Sequence, residues 1–248
     1  MKIRRADEIE KYILYQKNVS MKELYEKFDV SENTIRRDLK EILERGNVKK
    51  VYGGVIATER NSLISFEKRK VLNKELKEKI ASKVAKYIKD GDVIYIDSGT
   101  TTLELIDVIK DKKVTVFTNN LNFINAAIPY KNIKVMCLSG KLKREINSFV
   151  GDEALNMLKN FNIDKAFMAA SGVSIKFGIT NSSAEETRIK QMAIRKSLEV
   201  FLLVDSTKFG KVGMVTFSDF DNIDYIVSDK IKNKYIEFFN EKNIEILV

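Results

Sequence analysis

The chain has no histidine. That excludes Ser-His-Asp and Cys-His nucleophilic arrangements and every histidine-bearing metal site. It has one cysteine, Cys137, so an internal disulfide, a zinc finger and an iron–sulfur cluster are excluded as well, and the fold cannot depend on an oxidising compartment. Any chemistry must use carboxylates, lysines, hydroxyls and backbone amides, with no metal site expected. Cys137 sits in the run Val135-Met136-Cys137-Leu138 and reads as buried and inert. No apolar run approaches the roughly 18 residues of a membrane span; runs such as Val200-Phe201-Leu202-Leu203-Val204 are far too short. The start Met1-Lys2-Ile3-Arg4-Arg5 turns acidic at Asp7, Glu8 and Glu10, without the apolar stretch of a signal peptide. A cytoplasmic protein with no membrane partner is expected. Repeats and low-complexity segments are also lacking.

What is present suits one or two globular domains: 248 residues, 44% hydrophobic and 32% charged. The formal charge of +9 fits a polyanionic partner such as nucleic acid. The excess is spread out, however: residues 1–60 hold 14 basic and 11 acidic residues, residues 61–248 hold 30 and 24. Local charge is more telling. Arg45 to Ala57 has Arg45, Lys49 and Lys50 and no acid.

Residues 1–45 read as three helices. The first, from about Arg4 to Lys17, puts Ile9, Ile13 and Leu14 on one face. The second opens at Ser20-Met21-Lys22-Glu23, a capping box in which hydroxyl and carboxylate would each satisfy a free amide. Asp29-Val30 forms the turn, and Ser31 caps the third helix. There Ile35, Leu39, Ile42 and Leu43 make one apolar stripe. Gly46 closes it, and Val48 to Ile56 follows as a small hairpin turning at Gly53-Gly54. The polar stretch 58–73 reads as a linker.

A helix from Lys74 to Lys89 follows. Beyond it, β-branched strands at 93–97, 114–118, 133–138, 165–169, 200–204 and 223–227 alternate with helices at 101–110, 121–128, 151–160, 184–198 and 230–241. Pro129, the only proline, stops one of these helices. Such alternation implies a mostly parallel sheet covered on both faces.

The outward residues of the third helix are Glu32, Asn33, Thr34, Arg36, Arg37 and Lys40. Arginine can hold guanine and asparagine adenine, while threonine and lysine suit phosphates. A plain helical hairpin is the alternative. The run Val30-Ser31-Glu32-Asn33-Thr34-Ile35-Arg36-Arg37-Asp38-Leu39, followed by Gly46 and Tyr52-Gly53-Gly54, closely resembles the DeoR family of bacterial transcription regulators. The resemblance implies a winged helix-turn-helix over residues 1–57, with Ser20 to Leu39 as the reading pair and Asn47 to Ile56 as the wing. Arg36 and Arg37 are then the leading base or phosphate contacts, Thr34 and Asn33 come next, and Ser20, Ser31 and Lys40 belong to the same surface. Lys49, Lys50 and Tyr52 would meet the backbone or minor groove. Asp38 is expected to pair with an arginine of its own helix face.

In a parallel open sheet the ligand crevice lies beyond the strand carboxyl ends. Those ends read Asp97-Ser98-Gly99-Thr100-Thr101-Thr102, Thr118-Asn119-Asn120, Ser139-Gly140-Lys141, Ser171-Gly172 and Asp205-Ser206-Thr207-Lys208-Phe209-Gly210. Small, hydroxylated and glycine residues, with two lysines, describe a cavity for a polyhydroxylated anion, although the same residue types also cap helices after strands. With Phe149-Val150-Gly151, Ser171-Gly172-Val173 and Gly178-Ile179-Thr180, these segments resemble the DeoR-family effector domain along most of residues 74–248. That resemblance implies an α/β fold similar to ribose-5-phosphate isomerase, a phosphorylated sugar as effector, and assembly as a homodimer or homotetramer on a double-stranded DNA operator. No cofactor is implied. Gly99, Thr100 and Thr101 would hold the phosphate; Asp97, Asn119, Gly140, Lys141, Gly172 and Lys208 would surround the sugar. Glu185 or Glu186 would take a sugar hydroxyl, or simply favour the start of its helix. Where the family commonly has Gly-Gly, this chain has Ser139-Gly140. The expected function is a repressor whose DNA affinity follows a sugar phosphate. The alternatives are an isomerase-like enzyme and a DNA-binding protein whose second domain only assembles the oligomer.

Overall fold

Helical spacing builds the first part of the computed structural model, which describes residues 5–16, 18–45, 48–57 and 66–248. The chain divides into two units, Met1–Leu63 and Ile64–Val248. In the first, α1 (Arg5–Gln16) is followed by β1 (Asn18–Ser20), α2 (Met21–Phe28), α3 (Glu32–Arg45), β2 (Val48–Val51) and β3 (Gly54–Ala57). Ile9 and Ile13 of α1, Leu24 of α2, and Ile35, Leu39 and Ile42 of α3 close one core with Val19, Val48 and Val55. The strands form an antiparallel sheet in the order β1-β3-β2, so a winged helix-turn-helix is present. β1 is too short to carry an alternating pattern, and its partner β3 holds it in place.

The turns are sharper than the sequence pattern alone implies. Ser20 Oγ accepts from the Glu23 amide at 3.1 Å. The Glu23 carboxylate accepts instead from the Tyr12 hydroxyl at 2.8 Å, so half of the expected box ties α2 to α1. Asp29 ends α2 in the left-handed region, which short polar side chains tolerate. Ser31 Oγ accepts from the Thr34 amide at 3.4 Å, opening α3. The expected cap at Gly46 and the start of the wing at Asn47 lie outside the described residues.

The second unit runs α4 (Phe66–Val71), α5 (Lys74–Lys83), β4 (Val93–Ile96), α6 (Thr100–Leu103), α7 (Leu105–Ile109), β5 (Val114–Thr118), α8 (Leu121–Ala127), β6 (Ile133–Cys137), β7 (Lys141–Lys143), β8 (Ser148–Val150), α9 (Asp152–Leu158), β9 (Ile163–Met168), β10 (Gly172–Ser174), β11 (Gly178–Asn181), α10 (Ala184–Arg195), β12 (Ser197–Leu203), β13 (Val215–Ser218), β14 (Tyr225–Val227), α11 (Asn233–Glu241) and β15 (Glu245–Leu247). Seven parallel strands form one sheet in the order β15-β14-β12-β9-β4-β5-β6. Ile94, Ile96, Phe167, Phe201 and Leu203 pack with residues of α5, α7 and α8. Tyr95, Phe117, Ala166 and Met168 alternate with them and are buried too. Both faces are covered, so these strands read as continuous apolar runs.

The chain lays β4, β5 and β6 in one direction, then returns to the other side of β4 with β9, β12, β14 and β15. The order therefore reverses between β4 and β9, the place where open parallel sheets form their crevice. Smaller antiparallel pieces, β7-β8 and β10-β11-β13, add to the main sheet and were not legible as strands.

Four readings are corrected. Within the stretch read as a polar linker, residues 66–71 form α4, and Phe66 is buried in the core of the second unit; residues 58–65 lie outside the described residues. The helix expected over 101–110 is two short helices meeting at Glu104. The helix expected to reach Lys89 ends at Lys83 and tightens into a 3-10 turn at Ala85–Tyr87. Cys137 is exposed rather than buried, because β6 is an edge strand and Cys137 is its last residue.

Candidate functional site

On the N-terminal unit, α3 presents Glu32, Asn33, Arg36, Arg37 and Lys40 to solvent, with Thr34 half-buried and Ser31 exposed. Ser31 and Thr34 hydroxyls lie 2.9 Å apart. Arg36 donates from Nε and Nη2 to Glu32 Oε1, at 2.9 and 2.5 Å. Arg37 and Lys40 make no ion pair among the described residues. Asp38 does not pair with an arginine on its own helix: it accepts from Arg5 Nε at 2.6 Å, because it points back across the core-facing edge toward α1. Ser20 is exposed at the start of α2, and Lys49 and Lys50 on β2 and Tyr52 at the wing turn are exposed as well. The residues expected to face DNA thus share one unit and all but Thr34 are exposed.

In the second unit the strand ends meet at Asp97, the residue after β4, which has no exposed surface. Its Oδ1 accepts from the Ser98 amide at 2.8 Å and its Oδ2 from the Ala169 amide at 2.9 Å. Lys190 Nζ, from α10, also donates to Oδ2 and reaches the Ala169 carbonyl at 3.0 Å. Asp97 therefore clamps the ends of β4 and β9 together across the point where the strand order reverses. It holds the floor of the crevice.

Above that floor the backbone comes close. A Cβ at residue 99 would sit 2.3 Å from Ala169 Cβ, and one at 172 would sit 2.3 Å from the Lys211 carbonyl oxygen; only glycine fits either place. Thr102 is turned inward, donating to the Asp97 carbonyl at 2.7 Å. Thr100 and Thr101 hydroxyls make no hydrogen bond among the described residues. Asn119 is nearly buried, accepting from Tyr95 at 3.1 Å and donating to the Phe149 carbonyl at 3.1 Å. Gly140 and the exposed Lys141 open the β7-β8 hairpin.

Three cations converge at this edge, and two were not legible as site residues. Lys77 is only 4% exposed. Its Nζ donates to the carbonyls of Arg69 and, at 2.6 Å, Leu72, which fastens the end of α4. Burial pushes its pKa down; Asp205 and Glu104 counter that, while Lys208 and Arg69 add to it. Burial likewise lowers Lys208, whose Nζ lies 3.8 Å from Asp205 Oδ2. Burial lowers Arg69 as well, against the pull of Glu186 and Asp97. Lys77 feels the charges of Lys208 and Arg69, and Lys208 feels that of Arg69. α6, with Thr100 and Thr101, packs against α4 and α5. The arrangement is a partly dehydrated cationic site beside free hydroxyls, which suits an anion of high charge density.

The two acids at the start of α10 have different surroundings. Glu185 is exposed and pairs with Lys143, which pushes its pKa down. Glu186 is buried and accepts from Ser98 Oγ at 2.6 Å and Asn181 Nδ2 at 3.3 Å. Arg69 was hidden by the linker reading, although it stands three residues after Phe66. Lys77 had a signal: it lies on the apolar stripe with Ile80, Ala81 and Val84, an odd place for a solvated lysine. Lys190 carried the same signal beside Ile189, Ala193 and Ile194. Two open grooves lie apart from the crevice. One of about 370 Å³ runs between α9 and α10, lined by Asp152, Arg188 and Arg195; the other, of about 550 Å³, includes Phe177, Phe220 and Phe238. No helix among the described residues is long and apolar enough to cross a membrane.

Comparison with known proteins agrees with this division. A family described as DeoR-like helix-turn-helix domain matches residues 5–61, and one described as DeoR C terminal sensor domain matches residues 72–230. The chain is 42% identical over 248 residues to the HTH-type transcriptional regulator IolR of Bacillus subtilis, covering 99% of each. It is 30% identical over 226 residues to the glycerol-3-phosphate regulon repressor of Escherichia coli, covering 91% of this chain and 90% of that one. Among solved structures, ribose 5-phosphate isomerase A of Methanocaldococcus jannaschii is 21% identical, with 55% of each chain covered and a TM-score of 0.41.

Proposed function

As the chain belongs to the DeoR family of transcription regulators, we propose that it is a repressor of a carbohydrate operon whose hold on double-stranded DNA is set by a phosphorylated sugar in the crevice between β4 and β9. Its N-terminal unit is a DNA-binding winged helix-turn-helix, and its relatives are transcription regulators rather than enzymes.

The observation that carries the effector reading is the convergence of Arg69, Lys77 and Lys208 beside Gly99, Thr100 and Thr101. A phosphate monoester would add negative charge to this partly buried cationic cluster, beyond the carboxylates that already act on it, and the two hydroxyls would donate to its oxygens. Asn119, Gly140, Lys141 and Gly172 border the sugar side. Asp97 and Lys190 fix the floor, and Glu186, held by Ser98, is the acid of α10 that would face the ligand. Two chains acting together would set paired α3 helices about 34 Å apart, one turn of DNA. The sugar phosphate changes DNA affinity by preferring one arrangement of the oligomer over another.

A sugar-phosphate isomerase would need a free base near a substrate carbon. Asp97 is fully engaged, Glu186 accepts two hydrogen bonds, and Asp205 Oδ1 accepts from the Thr207 amide at 3.0 Å and from its hydroxyl. The test is a thermal-shift screen of the full chain with sugar phosphates, inorganic phosphate and the unphosphorylated sugars. A ligand at one hundred times its Kd adds about 2.7 kcal/mol of stability. A rise confined to phosphorylated compounds and lost in Lys208→Ala is expected. A screen without any rise would favour the reading in which the second unit only assembles the oligomer.

A further inference from the structure

We propose that Glu32 is a specificity-determining positioning residue for DNA binding: it grips Arg36 by one edge so that this guanidinium is presented to a base instead of swinging to any nearby phosphate. The proposal rests on the DNA-binding reading of α3.

Arg36 and Arg37 are adjacent and chemically identical, yet α3 makes them unlike. Arg36 Nε and Nη2 both donate to the same oxygen of Glu32, at 2.9 and 2.5 Å. Three of its five N–H groups remain, two on Nη1 and one on Nη2, at the outer end of the plane, and a pair of these can still make a bidentate contact with guanine. Arg37, about 100° further round the helix, makes no ion pair among the described residues and can follow the phosphates. Both partners are about half exposed, at 57% for Arg36 and 50% for Glu32. In water such a pair adds little stability, so its consequence is geometric. Holding the side chain before binding lowers the ordering cost of a specific contact, and the carboxylate weakens attraction to phosphates of the wrong sequence. The plain alternative is that Glu32 only steadies the first turn of α3 through the helix dipole and its i,i+4 partner. That role predicts no change in sequence preference.

The experiment enriches a randomised duplex library on the full-length chain, then measures binding of the enriched duplex and a shuffled one across salt concentrations. For Glu32→Ala, the shuffled duplex should bind about threefold more tightly, and the ratio of enriched to shuffled affinity should fall about tenfold. The slope of log K against log salt should steepen by about one, since a released arginine neutralises one more phosphate. Glu32→Gln, which keeps an acceptor, should fall between wild type and Ala. In an Arg36→Ala background, Glu32→Ala should change neither ratio nor slope. Equal changes on both duplexes, or the same effect without Arg36, would overturn the proposal in favour of the plain alternative. A library yielding no enriched duplex would overturn the DNA-binding reading along with it.

Discussion

In the N-terminal unit the basic side chains stand in water. Arg37, Lys40, Lys49 and Lys50 are exposed. In the C-terminal unit the cations of the crevice are drawn inward: Lys77 and Lys190 are almost fully buried, and Lys208 is 30% exposed. A surface that must meet many phosphates along a duplex benefits from solvated, mobile charges, which attract over distance and respond to salt. A site for one small anion benefits from few charges held in place and partly dehydrated, where each is worth more. The two units place the same residue types under opposite physical regimes.

The comparison can be broken most sharply at the buried pair. Lys190→Met leaves Asp97 buried without its cation, and loss of one partner of such a pair costs about 3–5 kcal/mol. Melting of the second unit should fall steeply while amide hydrogen exchange in α1, α2 and α3 stays protected. Next comes Arg36→Ala, which should weaken binding to the enriched duplex by about 1–3 kcal/mol as a base-edge contact is lost, without altering the thermal response to a sugar phosphate. Unchanged duplex affinity would remove that role.

Lys208→Ala should do the converse, abolishing the ligand response while DNA affinity in the absence of ligand stays within about twofold. The pH dependence sharpens this contrast. Burial lowers the Lys77 and Lys208 pKa values, so the unfolded chain binds these protons more readily than the fold. Below the lowered values the burial costs stability in full, and the cost fades as pH rises toward the ordinary lysine range. A bound phosphate favours the protonated lysines. Affinity for a sugar phosphate, measured by calorimetry, should therefore decline at a pH below that at which ordinary lysines lose their charge. The smallest effect is expected for Glu185→Gln: an exposed partner of Lys143 should leave ligand affinity within about twofold, whereas Glu186→Gln should not.

The same contrast explains what could be read from the sequence. The DNA-facing residues are near neighbours on one helix and one hairpin, so the apolar stripe of Ile35, Leu39 and Ile42 fixes by elimination which side chains face out. The parallel sheet was legible because buried strands and amphipathic helices repeat. The crevice is assembled from residues as far apart as Arg69, Asp97, Lys190 and Lys208, and nothing local joins them. Lys77 and Lys190 looked like solvated charges until their positions on apolar stripes were matched to burial. α4 was missed because six residues are too few to show a helical period, and Phe66 alone marks its inward face. Asp38 paired with Arg5, thirty-three residues away, where only intrahelical partners are visible to spacing.

The central claim is that a phosphate group seated on Arg69, Lys77 and Lys208 changes the grip of α3 on DNA. Fluorescence anisotropy of the full chain on DNA from upstream of its own operon, at fixed salt, tests it most directly when titrated with sugar phosphates and with the same sugars lacking phosphate. The account predicts that a phosphorylated sugar shifts the binding midpoint, that its unphosphorylated counterpart does not, and that Lys208→Ala removes the shift. An equal shift by both sugars, or tight DNA binding that no sugar phosphate moves, would contradict it.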